Sequence, residues 1–546
     1  MTTVAESESL PIPDDFPVTW EEPEDQALLW SWDQMHHPHP ITPLGRDLHA
    51  IAYGTGMTRG LRASGLPVKE RRVRSINTFS YAAVVPDREL LADTPARMQA
   101  IVAERGPGMY QRWLDEYFPE VDAANSKLLS FDYAAATDAE LVDFIVETAR
   151  LLERVWEIHF LLLPGFMISM PFKQLCVDRL GLSGLEAFEM MQGAHNLSVE
   201  SGSRLWQLAH NAPSSVREVI TGQAAATAHQ LLQETEEGRA FLTALDEYLQ
   251  VYGWRKGHFD VNGPAWAEDP TLALDQVRLM LRAPTDPAED QRRGAELAES
   301  RAAECRALLA DDLEALGKFN GLYHACKSYP QIQENHNFHI DQKFMALLRL
   351  PFLEAGRRLT ARGLLGDRED YAYVTLDEIN AALRGDATSR IEAVTERRTE
   401  MTRWQSYVPP RQLGTRPLPD TAPDWLADFI GAPVEPSGDP KLINGLPAAR
   451  GTATGTARVV RTLADAGRLE EGDILVCEMT TPAWTPLFAS LTGVVADSGG
   501  ALSHCAVVAR EYGLPCVVGT RTGSRTIPDG ARITIDGGQG IVRIES

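Results

Sequence analysis

The sequence predicts a multidomain protein in which a large, mostly α-helical region precedes a C-terminal α/β domain. Three observations lead there. The chain has 546 residues, enough for several domains. From about residue 86 to 402, apolar residues recur at helical spacing. Beyond a proline-rich stretch at 407–440, short apolar runs alternate with glycines, the pattern of strands.

Composition narrows the functional classes. The net charge of -24 argues against broad contact with nucleic acid or anionic lipid. The six cysteines form no CxxC pair, so reduced thiols in a cytoplasmic protein are expected, with no disulfide framework. The acidic N-terminus has no apolar leader pattern. The run Phe160–Phe172 is too short to span a bilayer and is broken by Pro164, Gly165 and Pro171, so it reads as core or pocket lining.

Residues 1–50 hold Trp20, Trp30 and Trp32 and the cluster His36, His37 and His39. So many aromatics are costly to leave in water, which predicts an arm folded onto the rest, with the histidines as surface, packing or pocket residues. Residues 51–404 form the helical domain. Its clearest helical pattern is 288–317, where Leu297, Cys305, Leu308, Leu309, Leu313 and Leu316 fall on one stripe. Residues 136–163, 214–250 and 340–363 behave similarly, and no strand–helix alternation suggests a barrel. Residues 405–442 read as a semi-rigid proline-rich linker. Residues 443–546 form the α/β domain, with strands near 457–460, 474–477, 494–496, 516–518 and 533–535 and helices near 484–490 and 503–512.

The most informative segment is 498–519, which places His504 after Gly499–Gly500 and at the start of a helix. An imidazole there is expected to be exposed, with helix-start amides beside it for an anion. A neutral imidazole is a good nucleophile near neutral pH and forms a labile N–P bond. Gly499 and Gly500 let amides approach phosphoryl oxygens, and Ser503, Thr481 and Thr485 supply hydroxyl donors. Arg510 reads as a site residue, a docking residue or a surface charge. Together with Asn444-Gly445-Leu446-Pro447, Gly451 to Gly455, Thr480 to Leu487 and Gly493 to Asp497, this segment resembles the mobile phosphohistidine domain of the phosphoenolpyruvate-utilising enzymes. Cys505 and Ala496 depart from the residues usual in that family. The resemblance implies a swivelling domain whose histidine is charged with phosphate at one site and discharged at another.

Neither a nucleotide-binding ATP-grasp pattern nor a phosphoenolpyruvate barrel is visible in the rest of the chain. The helical domain instead resembles the acceptor domains of family members that phosphorylate an organic hydroxyl. The segments that carry this are Tyr252 to His258 with Pro264 to Pro270, Leu353 to Leu365 with Tyr373 to Ile379, and Glu334 to Asp341. Lys256 stands where that family has a glycine. Phosphoryl transfer needs positive charge and a base. Arg255 and Lys256 are candidates for the charge, as a phosphate-binding pair or as a solvated basic pair on a loop. His336 and His339, at i and i+3, are candidates for the base, or else belong to a polar helix start. A zinc reading of that pair lacks a third ligand at metal spacing, so no metal is expected on this chain. Phe160, Phe166, Met167, Met170 and Trp254 are candidates for an apolar substrate pocket, or else core.

In organisation the chain is most similar to the acceptor-and-carrier subunit of two-component phenol and cresol (aryl phosphate synthase) phosphotransferases. That resemblance implies a separate ATP-grasp partner carrying ATP and Mg2+, phospho-His504 as intermediate, a phenol as acceptor, and AMP and phosphate as by-products. Two alternatives stay open: a rifampin-type antibiotic phosphotransferase component, and a non-catalytic phosphohistidine carrier.

Overall fold

A computed structural model describes residues 7–34, 36–417, 428, 431 and 434–545. The N-terminal arm is folded on, as part of a sheet. An antiparallel five-stranded sheet runs in the order Ser7–Ser9, Gln412–Pro417, Leu29–Trp32, Phe79–Pro86 and Val68–Ile76. Trp30, Trp32, Phe16, Phe79 and Tyr81 pack there with Trp404 and Leu413. Buried Asp25 accepts from Arg72 (2.9 Å) and Arg74 (3.0 Å), tying arm to hairpin.

Two expectations are corrected here. The region 51–404 is not helical throughout, because Val68–Ile76 and Phe79–Pro86 form a hairpin. Its two-residue turn is Asn77–Thr78, both at positive φ (49° and 68°), which is the conformation such turns require. The proline-rich segment also does not begin as a tether, because Gln412–Pro417 pairs with Leu29–Trp32 and with Ser7–Ser9. Within 405–442, residues 418–427, 429–430 and 432–433 lie outside the described residues.

The helical body packs around the long helix Asp138–Leu161. A reciprocal cap starts it: Thr137 Oγ1 accepts from Glu140 N, and the Glu140 carboxylate accepts from Thr137 N at 2.7 Å. The helical run Asp138–Leu180 is by length and composition long and apolar enough to cross a bilayer, but most of its apolar window is buried inside the body. The stripe in 288–317 is also corrected. Of its members Cys305 and Leu309 are buried (2% and 4%), but Leu297, Leu308 and Leu313 are exposed (68%, 72% and 79%), and the helix Pro287–Leu308 buries Gly294, Ala298 and Ala302 beside Cys305. A small-residue face lets this helix lie close to its neighbours, and a leucine count alone points to the wrong side.

The C-terminal domain is α/β, as the strand pattern predicts. Its eight-stranded sheet has a parallel centre, Thr452–Val459, Ile474–Cys477, Gly493–Ala496 and Cys516–Val518, and antiparallel flanks. The helix His504–Glu511 follows the third of these central strands. This domain sits on the helical body. Its Leu502 and Val507 are buried in the helical core, while Val199 and Leu279 of the body are buried in the core of the C-terminal domain.

The helix Met57–Ala63 and the turn before it lie against Asp138–Leu161 through glycine. A Cβ on Gly60 would meet Phe160 Cβ at 2.5 Å and Glu157 O at 2.6 Å. Gly60→Val is therefore expected to destabilise the protein by about 1–3 kcal/mol through overpacking. A urea denaturation midpoint unchanged from wild type would contradict that close approach.

Candidate active site

His504 opens its helix with Ser503 as the preceding cap residue. The imidazole is not exposed, as the helix-start position suggested, but only 9% accessible. The reason is docking: the end of the helix that carries it faces the helical body rather than solvent. Tyr329 Oη donates to Leu502 O at 2.9 Å, and the Glu511 carboxylate accepts from Gly193 N at 3.0 Å. Arg282 donates to Leu469 O at 2.6 Å, and Arg450 pairs with Glu186 at 3.2 Å.

At the centre of this interface His504 Nδ1 lies 3.0 Å from Glu334 Oε2 and 3.2 Å from Oε1. Glu334 is 1% accessible, on the helix Tyr329–His336, and also accepts from Ser198 Oγ at 2.6 Å. A carboxylate can only accept, so in the neutral ring Nδ1 carries the proton and Nε2 keeps its lone pair. Thr485 Oγ1 is 3.5 Å from that Nε2. Burial alone would lower the His504 pKa, but the Glu334 charge and hydrogen bond outweigh it and hold the pKa above its ordinary 6.5.

The phosphate-binding candidates divide. Gly499 (φ +98°) makes the turn that brings Gly500 and Ser503 to the helix start, where Ser503 N donates to Gly500 O at 3.1 Å. The hydroxyls of Ser503, Thr481 and Thr480 are buried and form no hydrogen bond among the described residues. Lys256 does not join them. Its Nζ donates to Asp260 O (2.6 Å) and Asn262 O (2.7 Å), closing its own loop, and burial pushes its pKa down to about 7. Arg255 is not on a solvated loop either. It is 1% accessible, lies 5.3 Å over each of the Trp266 and Phe338 rings, and donates to Tyr252 O at 2.7 Å. Its Nη1 is 3.4 Å from Ser201 Oγ and its Nη2 is buried without a hydrogen bond. Arg510 is buried and donates to Ala448 O and Ala501 O at 2.7 Å, bracing the glycine turn.

His336 and His339 do not act as one pair. A π-helical stretch, Asn337–Phe344, begins between them and changes the phase. His336 faces His159 and Phe166, at ring-centroid distances of 4.5 and 5.4 Å. His339 faces Phe118 and Phe338, at 4.5 and 5.1 Å. Burial takes both to a pKa of about 3. Phe160 packs on His159 at 4.7 Å. Met167 is buried in the helical core, and Met170 and Trp254 are half-buried at its edge. His36 and His49 share buried Asp33, at 2.8 and 3.3 Å, and His37 packs on His49. A spacious cleft of about 710 Å³ lies elsewhere, between Asn262, Arg349, Glu369 and Arg398. Its charged walls include none of the groups that touch His504.

Sequence reasoning missed Glu334, Ser198, Thr480, His159 and Asp341 as site residues. Glu334 and His504 are 170 positions apart, and no local pattern joins them.

Comparison with known proteins accords with this geometry. Residues 469–540 match the family model of the PEP-utilising enzyme mobile domain, and residues 159–332 match that of the rifampicin phosphotransferase fourth domain. A chondramide synthase of Chondromyces crocatus is 35% identical over 99% of this chain and 14% of its own length. An uncharacterized phosphotransferase of Bacillus subtilis is 30% identical over 72% of the chain and 47% of its own length. A rifampicin phosphotransferase of Streptomyces sviceus is 33% identical over 56% and 34%. The chain thus spans less than half the length of these relatives.

The His504–Glu334 pair has a definite pH signature. A raised pKa contributes stability that is complete below the ordinary 6.5 and is lost as pH rises through the raised value. Histidine-resolved NMR titration is expected to place His504 above 6.5 in the wild type and below it in Glu334→Gln, where burial is no longer offset. Equal values in the two proteins would refute the assigned contact.

Proposed function

We propose, for a chain whose residues 469–540 form a mobile domain of the PEP-utilising enzymes, that His504 accepts a phosphoryl group and passes it to an organic hydroxyl held by the helical body. The observation that carries this reading is the contact of Glu334 with Nδ1. It holds the tautomer in which Nε2 is the nucleophile, and it does so where the two domains meet.

In the charging step the Nε2–P bond forms to the β-phosphorus of ATP as the α–β phosphoanhydride breaks on a separate ATP-grasp protein, releasing AMP, and water cleaves the β–γ bond, releasing phosphate. In the discharging step the acceptor O–P bond forms, the Nε2–P bond breaks, and imidazole leaves with Nδ1 still protonated beside Glu334. AMP and phosphate are the by-products. Ser503, Thr480 and Thr481 donate hydrogen bonds to the phosphoryl oxygens, helped by the amides of the helix start. The acceptor's proton passes to the buried cluster of His159, His336 and Asp341, which begins two residues beyond Glu334. The rings of Phe160 and Phe166 beside that cluster favour a flat aromatic acceptor, and a phenol such as cresol is the simplest. A phenol ionises near pH 10, so a weak base suffices. ATP supply places the reaction in the cytoplasm.

A second reading, a rifampicin-type acceptor, is favoured by the match over 159–332. Incubating the chain with an ATP-grasp partner, labelled ATP, a phenol panel and a rifamycin distinguishes the two by the compound that gains label. His504→Ala is expected to abolish labelling of protein and acceptor alike. Glu334→Gln is expected to slow transfer by about 10²-fold or more, because the tautomer is no longer held. Label that stops on the protein with every acceptor would leave only a carrier role, and label reaching an acceptor in His504→Ala would refute the proposal.

A further inference from the structure

The cluster assigned above to the acceptor's proton has a property that proton transfer does not need. His159 Nδ1, His336 Nε2 and Asp341 Oδ2 all lie within 4.8 Å of one another. All three atoms are buried, and none makes a hydrogen bond by distance and angle among the described residues. His159 Nδ1 and Asp341 Oδ2 are 3.4 Å apart, an ion pair only when the ring is protonated. Three inward-facing lone-pair atoms left unsatisfied in a protein interior are costly unless something joins them.

Their geometry suits a metal ion. Two ligands, each about 2.0–2.2 Å from a tetrahedral ion, stand about 3.3 Å apart. His336 Nδ1 is 2.6 Å from Ile332 O, and a carbonyl can only accept, so the proton is on Nδ1 and Nε2 presents its lone pair to the cluster. The His159 ring is held by stacking on Trp156, with centroids 4.8 Å apart and planes 20° apart. His336 and Asp341 are five residues apart, a spacing that an α-helix sends to different faces. The π-helical stretch Asn337–Phe344 widens the turn and brings both to the same side. Sequence spacing alone therefore hides the third ligand.

We propose that His159, His336 and Asp341 bind one divalent transition-metal ion, zinc-like in its preference for imidazole, with a coordination position left for an acceptor oxygen. This departs from the expectation that the chain carries no metal. With the ion bound the cluster's lone pairs are engaged, so the ion lowers the pKa of the acceptor hydroxyl and its proton passes to the freed Nε2 of His504 instead; that use rests on the transfer reading above, whereas binding itself does not.

The chelator-stripped 546-residue chain, dialysed against Zn2+ and assayed by elemental analysis, tests binding without any turnover. About one Zn2+ per chain is expected, with at least about tenfold weaker binding in His159→Gln and in Asp341→Asn, and no change in His339→Gln. Mg2+ is expected not to compete. Circular dichroism of each variant checks that it folds, and Co2+ added to the wild type should give the visible absorption of an imidazole-ligated site. Absence of stoichiometric Zn2+ and of a Co2+ band would overturn the proposal, as would equal affinity in wild type and a folded Asp341→Asn. Binding without transfer would instead count against the phosphotransfer reading alone.

Discussion

The rest of the site depends on a carboxylate and an imidazole that meet across a domain boundary. Glu334 belongs to the helical body and His504 to the C-terminal domain, and each is nearly inaccessible to water. A carboxylate buried there needs a donor such as Nδ1–H beside it, because an unpaired buried charge costs several kcal/mol. The docked arrangement is thus tied to the protonation of one ring. It is also tied to what that ring carries, since Nδ1 is engaged while Nε2 remains available. A hydrophobic seal around the pair, with Leu502 and Val507 buried in the body, keeps solvent from screening it. The same seal excludes water that would compete with an acceptor for the phosphoryl group.

The helical segment 329–344 organises the other half of the site. Its first part presents Glu334 to the mobile domain and is regular α-helix. Its second part is π-helical, and the change of pitch sends His336 and Asp341 toward His159 while His339 turns to Phe118. Insertions of this kind lose some regular helical bonding and persist where they place side chains that a regular helix cannot. One continuous element therefore serves both the carrier histidine and the ring-lined cluster behind it.

Much of the architecture was legible in the sequence. The glycine-punctuated apolar runs after residue 440 became the parallel centre of the larger sheet, and Gly499, Ser503 and His504 lie together at the helix start, as their spacing implied. What stayed hidden has physical reasons. The hairpin at 68–86 turns on Asn77–Thr78 rather than on the Asn-Gly signal that marks such turns. The helix Pro287–Leu308 buries glycine and alanine beside Cys305 and exposes Leu297 and Leu308, so the leucine positions alone misplace part of the buried stripe. His504 looked exposed because a helix start is usually wet, and only the docking of a second domain buries it. Glu334 was in view as part of a polar segment, but a pair 170 residues apart has no periodicity to betray it.

The fate of the cations bears on how tightly the site grips phosphate. Arg510 is engaged with a carbonyl after the glycine turn, Ala501, and with one on a sheet strand, Ala448, and Lys256 with two carbonyls of its own loop. Arg255 is clamped between aromatic rings with one nitrogen left over. The donors nearest the carrier ring are neutral hydroxyls and amides, whose hydrogen bonds to an anion are weaker than those of a forked guanidinium. A nest of free arginines would hold a phosphoryl group in a deep well and slow its departure. Uncharged donors orient the group and let it go, which suits a histidine that is charged and discharged in the cycle proposed above. The negative overall charge of the chain works in the same direction, since it adds no long-range attraction for phosphate beyond what the docked site itself supplies.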